Sequence, residues 1–444
     1  MARAAKDKEA KLTQGRAKRV LKVGGVATSV GSSYLWESLR KPFRSSGDHQ
    51  RALLDTHIRN AMRIVESSKE LKGAFMKLVQ MLSMRDDILP AEALDVLSIV
   101  QSQVPPMDYS EIRQQLANEL GGEPENLFAT FETEAFAAAS LGQVHRATLP
   151  SGELVVVKVQ YPGVEETVDQ DLRNLKALLN TFTLIGRDVM QQEIDHSEVI
   201  EELEQRLSEE LDYENEARNN RRFQKMFADD PEVEIPAVYP EFSSRRVLTM
   251  GLLEGYPFAD ILKRGVDQTL KDWVAIKYFR MVWRQVFEFG VLHTDPHPGN
   301  YLVTYHPHIG MLDFGSIRIF PPKIRKAYLG MAAAMLDADD DAMAIHLLRL
   351  GFIGKNDDPA AMIRMMRIFC EPILEDREFD PRDYDSMEKA MEIAQIGFEN
   401  RQFRAPGHRL FLGRALVGLD SYLKQLGTVA NYHRLFAECV ESAS

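Results

Sequence analysis

The chain has 444 residues, 45% of them hydrophobic and 27% charged, a globular mixture that excludes wholesale disorder, collagen-like repeats and long coiled coils. Two cysteines, Cys370 and Cys439, exclude a disulfide framework and a cysteine-built metal site, and they fit a reducing compartment. The net charge of −12 is uneven: residues 1–60 carry thirteen Lys or Arg against five Asp or Glu, so the remainder is strongly acidic and nucleic acid is excluded as a partner.

At roughly 150 residues per domain the length predicts two or three domains. Residues 1–55 read as a basic, loosely ordered leader that could touch anionic lipid. Its mildly apolar stretch, VLKVGGVATSVGSSYLW over 20–36, is a weak signal or transit segment. No run of 18 apolar residues occurs, so no spanning helix is predicted and the expected location is cytoplasmic, peripheral to a membrane at most.

Residues 56–125 read as a helical extension. Ile64, Phe75, Leu78, Leu82, Leu94, Leu97 and Val100 recur at helical spacing, with a break at Asp86–Pro90 and an end at Pro105-Pro106. A short helix over 110–120 closes at Gly121-Gly122. Over 126–255 the period changes. Segments 143–149 and 153–160, joined by Pro150-Ser151-Gly152, predict a hairpin, followed by charged helices over 164–186 and 196–227 and a strand over 246–250. Residues 256–444 are helical, interrupted by one β-like piece, YLVTYHPHIGMLDFG, at 301–315. The fold class is α+β with two lobes.

Four chemistry-bearing elements occur in order. A lysine ends an apolar strand (VVVK, Lys158), an acidic helix follows, then HTDPHPGN with Asp295 and Asn300, then DFG at Asp313–Gly315. This is the order of a phosphoryl-transfer site, and the five-residue step from Asp295 to Asn300 matches its catalytic loop. ATP brings about four negative charges, which a lysine and Mg²⁺ neutralise. Lys158 would contact the phosphates, Asp313 and Asn300 would hold Mg²⁺, and Asp295 would accept the proton of the attacking hydroxyl or water. His293, His297, His306 and His308 lack the companions of a zinc site. Where such a site has a glycine-rich phosphate loop, this chain has Ala137-Ala138-Ala139-Ser140, which by itself would suit a helix start.

AAASLGQVHRA (137–147), VVVKVQYPGV (155–164), EELDYENEA (209–217), HTDPHPGN (293–300) and LDFGS (312–316) resemble the UbiB-type, or aarF-domain, atypical kinase-like family. KLVQMLSMRDDILP (77–90) is similar to its N-terminal signature, and the resemblance covers about residues 55–320. It implies a protein-kinase-like bilobal fold with an N-terminal helical extension that occludes a protein-substrate site. It also implies an alanine-rich loop over ATP and Mg²⁺, and a role in ubiquinone or other isoprenoid-lipid biosynthesis. Carried over by position, Lys77 and Gln80 match the extension signature, Glu210 and Asp212 its E-x-D, and Glu216 the glutamate that pairs with Lys158. Val79 stands where the signature has glycine, and Met250-Gly251 occupies the adenine hinge, where backbone groups would recognise the base.

On a regular helix Asp212 and Glu216 share a face while Glu210 points away, so one helix would serve both Lys158 and Lys77. The function these features imply is a Mg-dependent ATPase or small-molecule kinase whose partners are nucleotide, a membrane-surface lipid or quinone precursor, and a biosynthetic complex. A nucleotide-gated scaffold is the alternative. A true protein kinase fits less well, because IRIFPPKIRKAYLG after Gly315 runs quickly into helix with no peptide-binding activation segment; an aminoglycoside-type phosphotransferase shares the H-x-D-x-x-x-x-N loop and is the nearest small-molecule alternative, but the AAAS and EELDY segments favour the UbiB-type family.

Overall fold

The computed structural model describes residues 107–444 except 140, 166–167, 169–171, 173–203, 206, 356 and 401–406, together with the isolated positions 29, 32, 33 and 56. Most of the leader segment at 20–36, the helices expected from Ile64 to Val100, most of the helix over 164–186, and Lys77, Val79, Gln80 and Ser140 lie outside the described residues. The chain forms two compact units: described residues up to Asn215 with Val238–Leu252, and Glu216–Ala237 with Leu253–Ser444.

The first unit opens with α1 (Tyr109–Leu120). Asp108 caps it by accepting the Ser110 N–H, and Gly121, at φ 75°, takes the left-handed turn that ends it. An antiparallel sheet follows: β1 (Thr130–Phe131), β2 (Ala137–Ala139), β3 (Gly142–Thr148) and β4 (Leu154–Gln160). The chain then runs through α2 (Tyr213–Met226) and β5 (Val233–Glu234) before β6 (Val247–Gly251) pairs with β4. Strand alternation sorts LVVVKVQ into two faces: Val155, Val157 and Val159 are fully buried with Ile112 and Leu116 of α1, and Lys158 points the other way. Gly142 opens β3 because a β-carbon there would stand 2.9 Å from the Val159 carbonyl carbon.

The core face of β3 carries two polar side chains, both satisfied. The Gln143 amide accepts the Met107 N–H at 2.9 Å and donates to His145 Nε2 at 3.0 Å, while His145 Nδ1 donates to the Glu132 carbonyl at 2.8 Å. These two side chains tie the chain entering at Met107, and the chain leading into β2, onto β3.

In the second unit β5 lies parallel to β10 (Ile309–Met311), which pairs with β9 (Tyr301–Thr304), which pairs with β7 (Gly255–Pro257). Helix α3 (Gln268–Arg284), capped by Asp267, continues into a π-turn over Gln285–Phe289 that Gly290 ends at φ 63°. That turn delivers β8 (Val291–His293), which pairs with β11 (Ile317–Ile319). The helices α4 (Pro322–Leu336), α5 (Asp340–Arg349), α6 (Pro359–Phe369), α7 (Ser386–Glu399), α8 (Gly407–Leu426) and α9 (Tyr432–Ala443) complete a helical body. Its core includes Tyr278, Phe287, Phe314, Tyr432 and Phe436. Among the described residues no helix is long and apolar enough to cross a membrane.

The α+β kinase-like class stands, with three local corrections. The helix expected over 196–227 is broken at Leu211-Asp212, and α2 starts afresh with Asp212 accepting the Asn215 N–H at 2.8 Å. A capping carboxylate satisfies an end-of-helix donor that a mid-helix one cannot, so the face argument linking Asp212 to Glu216 falls. Ala137–Ala139 is a strand on β3, not a helix start. The region after Gly255 holds three further strands, β7, β8 and β11, each only three residues long and too short to leave a period-2 pattern.

Burial lowers the pKa of His145 below its ordinary 6.5, outweighing the Glu132 and Glu134 carbonyls that raise it. On acidification the unfolded chain therefore takes up this proton first, so stability is complete above about pH 6.5 and falls below it. The urea midpoint should drop between about pH 7.5 and 5.5 by less in His145→Gln than in the wild type; equal drops would show that His145 is not the neutral, buried partner described.

Candidate functional site

In the first unit the antiparallel register places Ala137 against Val144, Val144 against Lys158 and Lys158 against Leu248, and it sets Val156 against Met250. Residues paired this way, and those two apart, project from one face. Ala137, Ala139, Lys158 and Met250 therefore share a face of the sheet, and Ala138 projects from the other. The Lys158 Nζ lies 4.9 Å from the ring centroid of Tyr213, a buried aromatic at the start of α2 that restrains the lysine by a cation–π contact.

The second unit carries the carboxylates. Residues 294–300 form the loop between β8 and β9, with Pro296 and Pro298 restricting its backbone. Both amide hydrogens of Asn300 point at Asp295, with Nδ2 3.0 Å from Oδ2 and 3.3 Å from the carbonyl oxygen. The Asn300 Oδ1 is thereby the atom left for a metal. The Asp295 carboxylate also accepts the His297 N–H at 3.3 Å. Nearby, Asp313 Oδ1 accepts the Gly315 N–H at 2.9 Å. A β-carbon on Gly315 would lie 3.3 Å from Asp313 Oδ1 and 4.0 Å from Glu216 Oε2, so two carboxylates approach this glycine.

His293 joins these pieces. It is 4% exposed; its Nδ1 accepts the Asp295 N–H at 3.3 Å and its Nε2 donates to the Asp313 carbonyl at 2.7 Å. Its own N–H is held at 2.8 Å by the side chain of Gln285 on the π-turn. Beneath the loop, Tyr278 and Tyr301 have their hydroxyls pushed well up, chiefly by burial and further by the negative charge of Asp295.

Several supporting residues escaped the sequence reading. Asn219, 4% exposed, donates to the Phe314 carbonyl at 2.9 Å, and Phe314 packs 5.3 Å from Phe223. Glu216, Asn219, Asn220 and Phe223 form the buried stripe of α2. Polar residues at the core positions of a helix were the signal available, since such groups are buried only with partners. Of the other expected residues, Asp212 caps α2 and Glu210 lies half-buried before the break. Only six residues separate Gly315 from α4, three of them in β11.

The donor set is oxygen throughout. An asparagine amide and a carboxylate suit Mg²⁺, which binds through one or two protein oxygens completed by phosphates and water. Among the described residues no three His, Cys, Asp or Glu side chains gather as a metal cage.

The ABC1 atypical kinase-like domain matches residues 99–347. The chain belongs to the ABC1 atypical kinase-like family. The UbiB-type resemblance is thereby borne out. The chain is similar to the mitochondrial atypical kinase COQ8B of Rattus norvegicus, 30% identical over 93% of this chain and 78% of that protein. It is also similar to the mitochondrial atypical kinase COQ8 of Saccharomyces cerevisiae, 27% identical over 97% and 86%. Among solved structures, the complex of Rv3197 with erythromycin from Mycobacterium tuberculosis superposes with a TM-score of 0.61 at 27% identity, covering 88% of this chain and 97% of that one.

Replacing His293 by alanine leaves the Asp295 N–H and the Asp313 carbonyl without their buried partner, at about 1–3 kcal/mol for each unsatisfied group. His293→Ala should lose at least about 2 kcal/mol in urea unfolding. A loss within about 0.5 kcal/mol, typical of a neutral surface change, would contradict the bridge.

Proposed function

We propose that this protein is a Mg-dependent, ATP-using enzyme, an ATPase or a kinase of a small molecule, serving ubiquinone or related isoprenoid-lipid biosynthesis at a membrane surface. The observation that carries the reading is the His293 bridge, which holds the Asp295 loop and Asp313 in one register while Asn300 orients Asp295.

In this reading Asn300 and Asp313 hold Mg²⁺, which when bound neutralises phosphate charge. Lys158 binds the phosphates, and the small side chains of Ala137 and Ala139 on the same sheet face border them. The backbone at Met250 receives adenine, and Glu216 is the acidic partner that keeps Lys158 in place. Asp295 accepts the proton of the attacking hydroxyl or water on its Oδ atoms; the Asn300 N–H donated to Oδ2 at 3.0 Å fixes the carboxylate for that transfer. The family resemblance supplies the lipid context, and the names of the COQ8 relatives support it. Lys77 and Gln80 with Glu210 and Asp212 are assigned to regulation by the extension.

A nucleotide-gated scaffold is the second reading, and the alanines in place of phosphate-loop glycines favour it. Both are separated by Mg-ATP turnover measured with and without anionic liposomes. The enzyme reading expects turnover that rises on liposomes and stops with chelator. Asp313→Asn should abolish it along with Mg-dependent nucleotide binding. Asp295→Asn should cost about 100-fold or more in kcat, the scale of a lost general base, while nucleotide still binds. Nucleotide binding without turnover under any condition would overturn the enzyme and favour the scaffold.

A further inference from the structure

Helix α8 lies outside every motif used so far, yet three of its residues at i, i+4 and i+8 meet the two residues that flank Asp295. Arg414 donates from Nη2 to the Thr294 carbonyl at 3.2 Å. Gly418, one turn on, meets Pro296 so closely that a β-carbon would stand 2.6 Å from Pro296 Cγ. Tyr422, a turn further, donates its hydroxyl to the Pro296 carbonyl. The 3.6-residue period puts these three on one stripe, so a single face of α8 meets both Thr294 and Pro296.

The stripe is rigidly backed. Tyr422 is 4% exposed, and its ring packs 5.3 Å from Phe258 and 5.5 Å from Tyr278. Burial pushes its hydroxyl well up, with Tyr278 and Asp295 adding to the effect, so it stays a donor at neutral pH. The carbonyls on both sides of Asp295 therefore have fixed donors from one helix. Thr294 is closed from the other direction, where its N–H donates to the Ser316 carbonyl at 3.0 Å.

From these contacts we infer that Arg414, Gly418 and Tyr422 are positioning residues for Asp295: α8 sets where the carboxylate stands by gripping the backbone before and after it. The inference rests on the ATP-using reading for its consequence in turnover and on geometry for the grip itself. The glycine is the informative member. Mid-helix glycine is ordinarily a liability, and alanine is the better helix former. Gly413, on the same helix, has nothing within 4 Å of a would-be β-carbon. Gly413→Ala thus changes helix propensity alone, whereas Gly418→Ala makes the same change and also pushes Pro296 away.

The test uses full-length Gly413→Ala, Gly418→Ala and Tyr422→Phe, with two readouts. The first is amide hydrogen exchange over residues 293–300, which needs no activity. The second is the kcat and KM of Mg-ATP turnover. We expect Gly413→Ala to match the wild type in both. Gly418→Ala and Tyr422→Phe should exchange faster at the loop, with kcat down about tenfold or more, as small misplacements of a catalytic group cost, and KM for Mg-ATP within about twofold. Should Gly418→Ala not fold, Tyr422→Phe, which removes only one oxygen, decides. Loop exchange and kcat indistinguishable from the Gly413→Ala control would overturn the inference, as would a rise in KM with kcat unchanged. A wild type without turnover removes the ATP-using reading, and the grip is then upheld or overturned by the exchange data alone.

Discussion

One buried imidazole sets the arrangement of the second unit's carboxylates. His293 has two ring nitrogens, one an acceptor and one a donor in the Nε2–H tautomer, and each is committed to the backbone of a different acidic residue. A net hydrogen bond is worth only about 1 kcal/mol, but a buried group left unpaired costs up to about 3 kcal/mol, so the bridge resists being broken more than it adds when formed. The Asp295 loop and the Asp313 turn therefore keep one register. The position of both carboxylates is thus set through the backbone.

The first unit solves a different problem. A lysine must leave the core while its strand stays in it, and strand alternation does this without special residues: three valines inward, Lys158 outward. Alanine at 137 and 139 costs nothing in this setting, since β2 is an ordinary extended strand and needs no positive φ. The glycine that the sheet does need is Gly142, for close strand pairing. Tyr213 then limits where the lysine head can go.

Much of this was legible in the sequence. The VVVK strand, the hairpin with β3, the HTDPHPGN loop and the DFG turn rest on local rules of alternation, turn chemistry and spacing, which need no tertiary information. What was not legible depended on distant partners. The break at Leu211-Asp212 sits inside an acidic run whose composition is helical, and only the cap it makes for α2 reveals it. The strands β7, β8 and β11 are created by pairing, not by propensity. Asp313, Phe314 and Pro296, the partners of His293, Asn219 and Tyr422, lie 20 to 126 residues from them. No spacing rule reaches that far, although the polar stripe on α2 advertises that something there needs partners.

We propose that Asn300, bonded to Asp295, and Asp313, bridged to the Asp295 loop by His293, hold one ion for one nucleotide. A double-mutant cycle on Mg-ATP affinity, using Asn300→Ala, Asp313→Ala and the pair, tests it most directly. Ligands of a shared metal are strongly non-additive, so either single change should lose most of the Mg-dependent affinity and the double should lose little more. Losses that simply add would show two independent contributions, and the single metal–nucleotide site would be wrong.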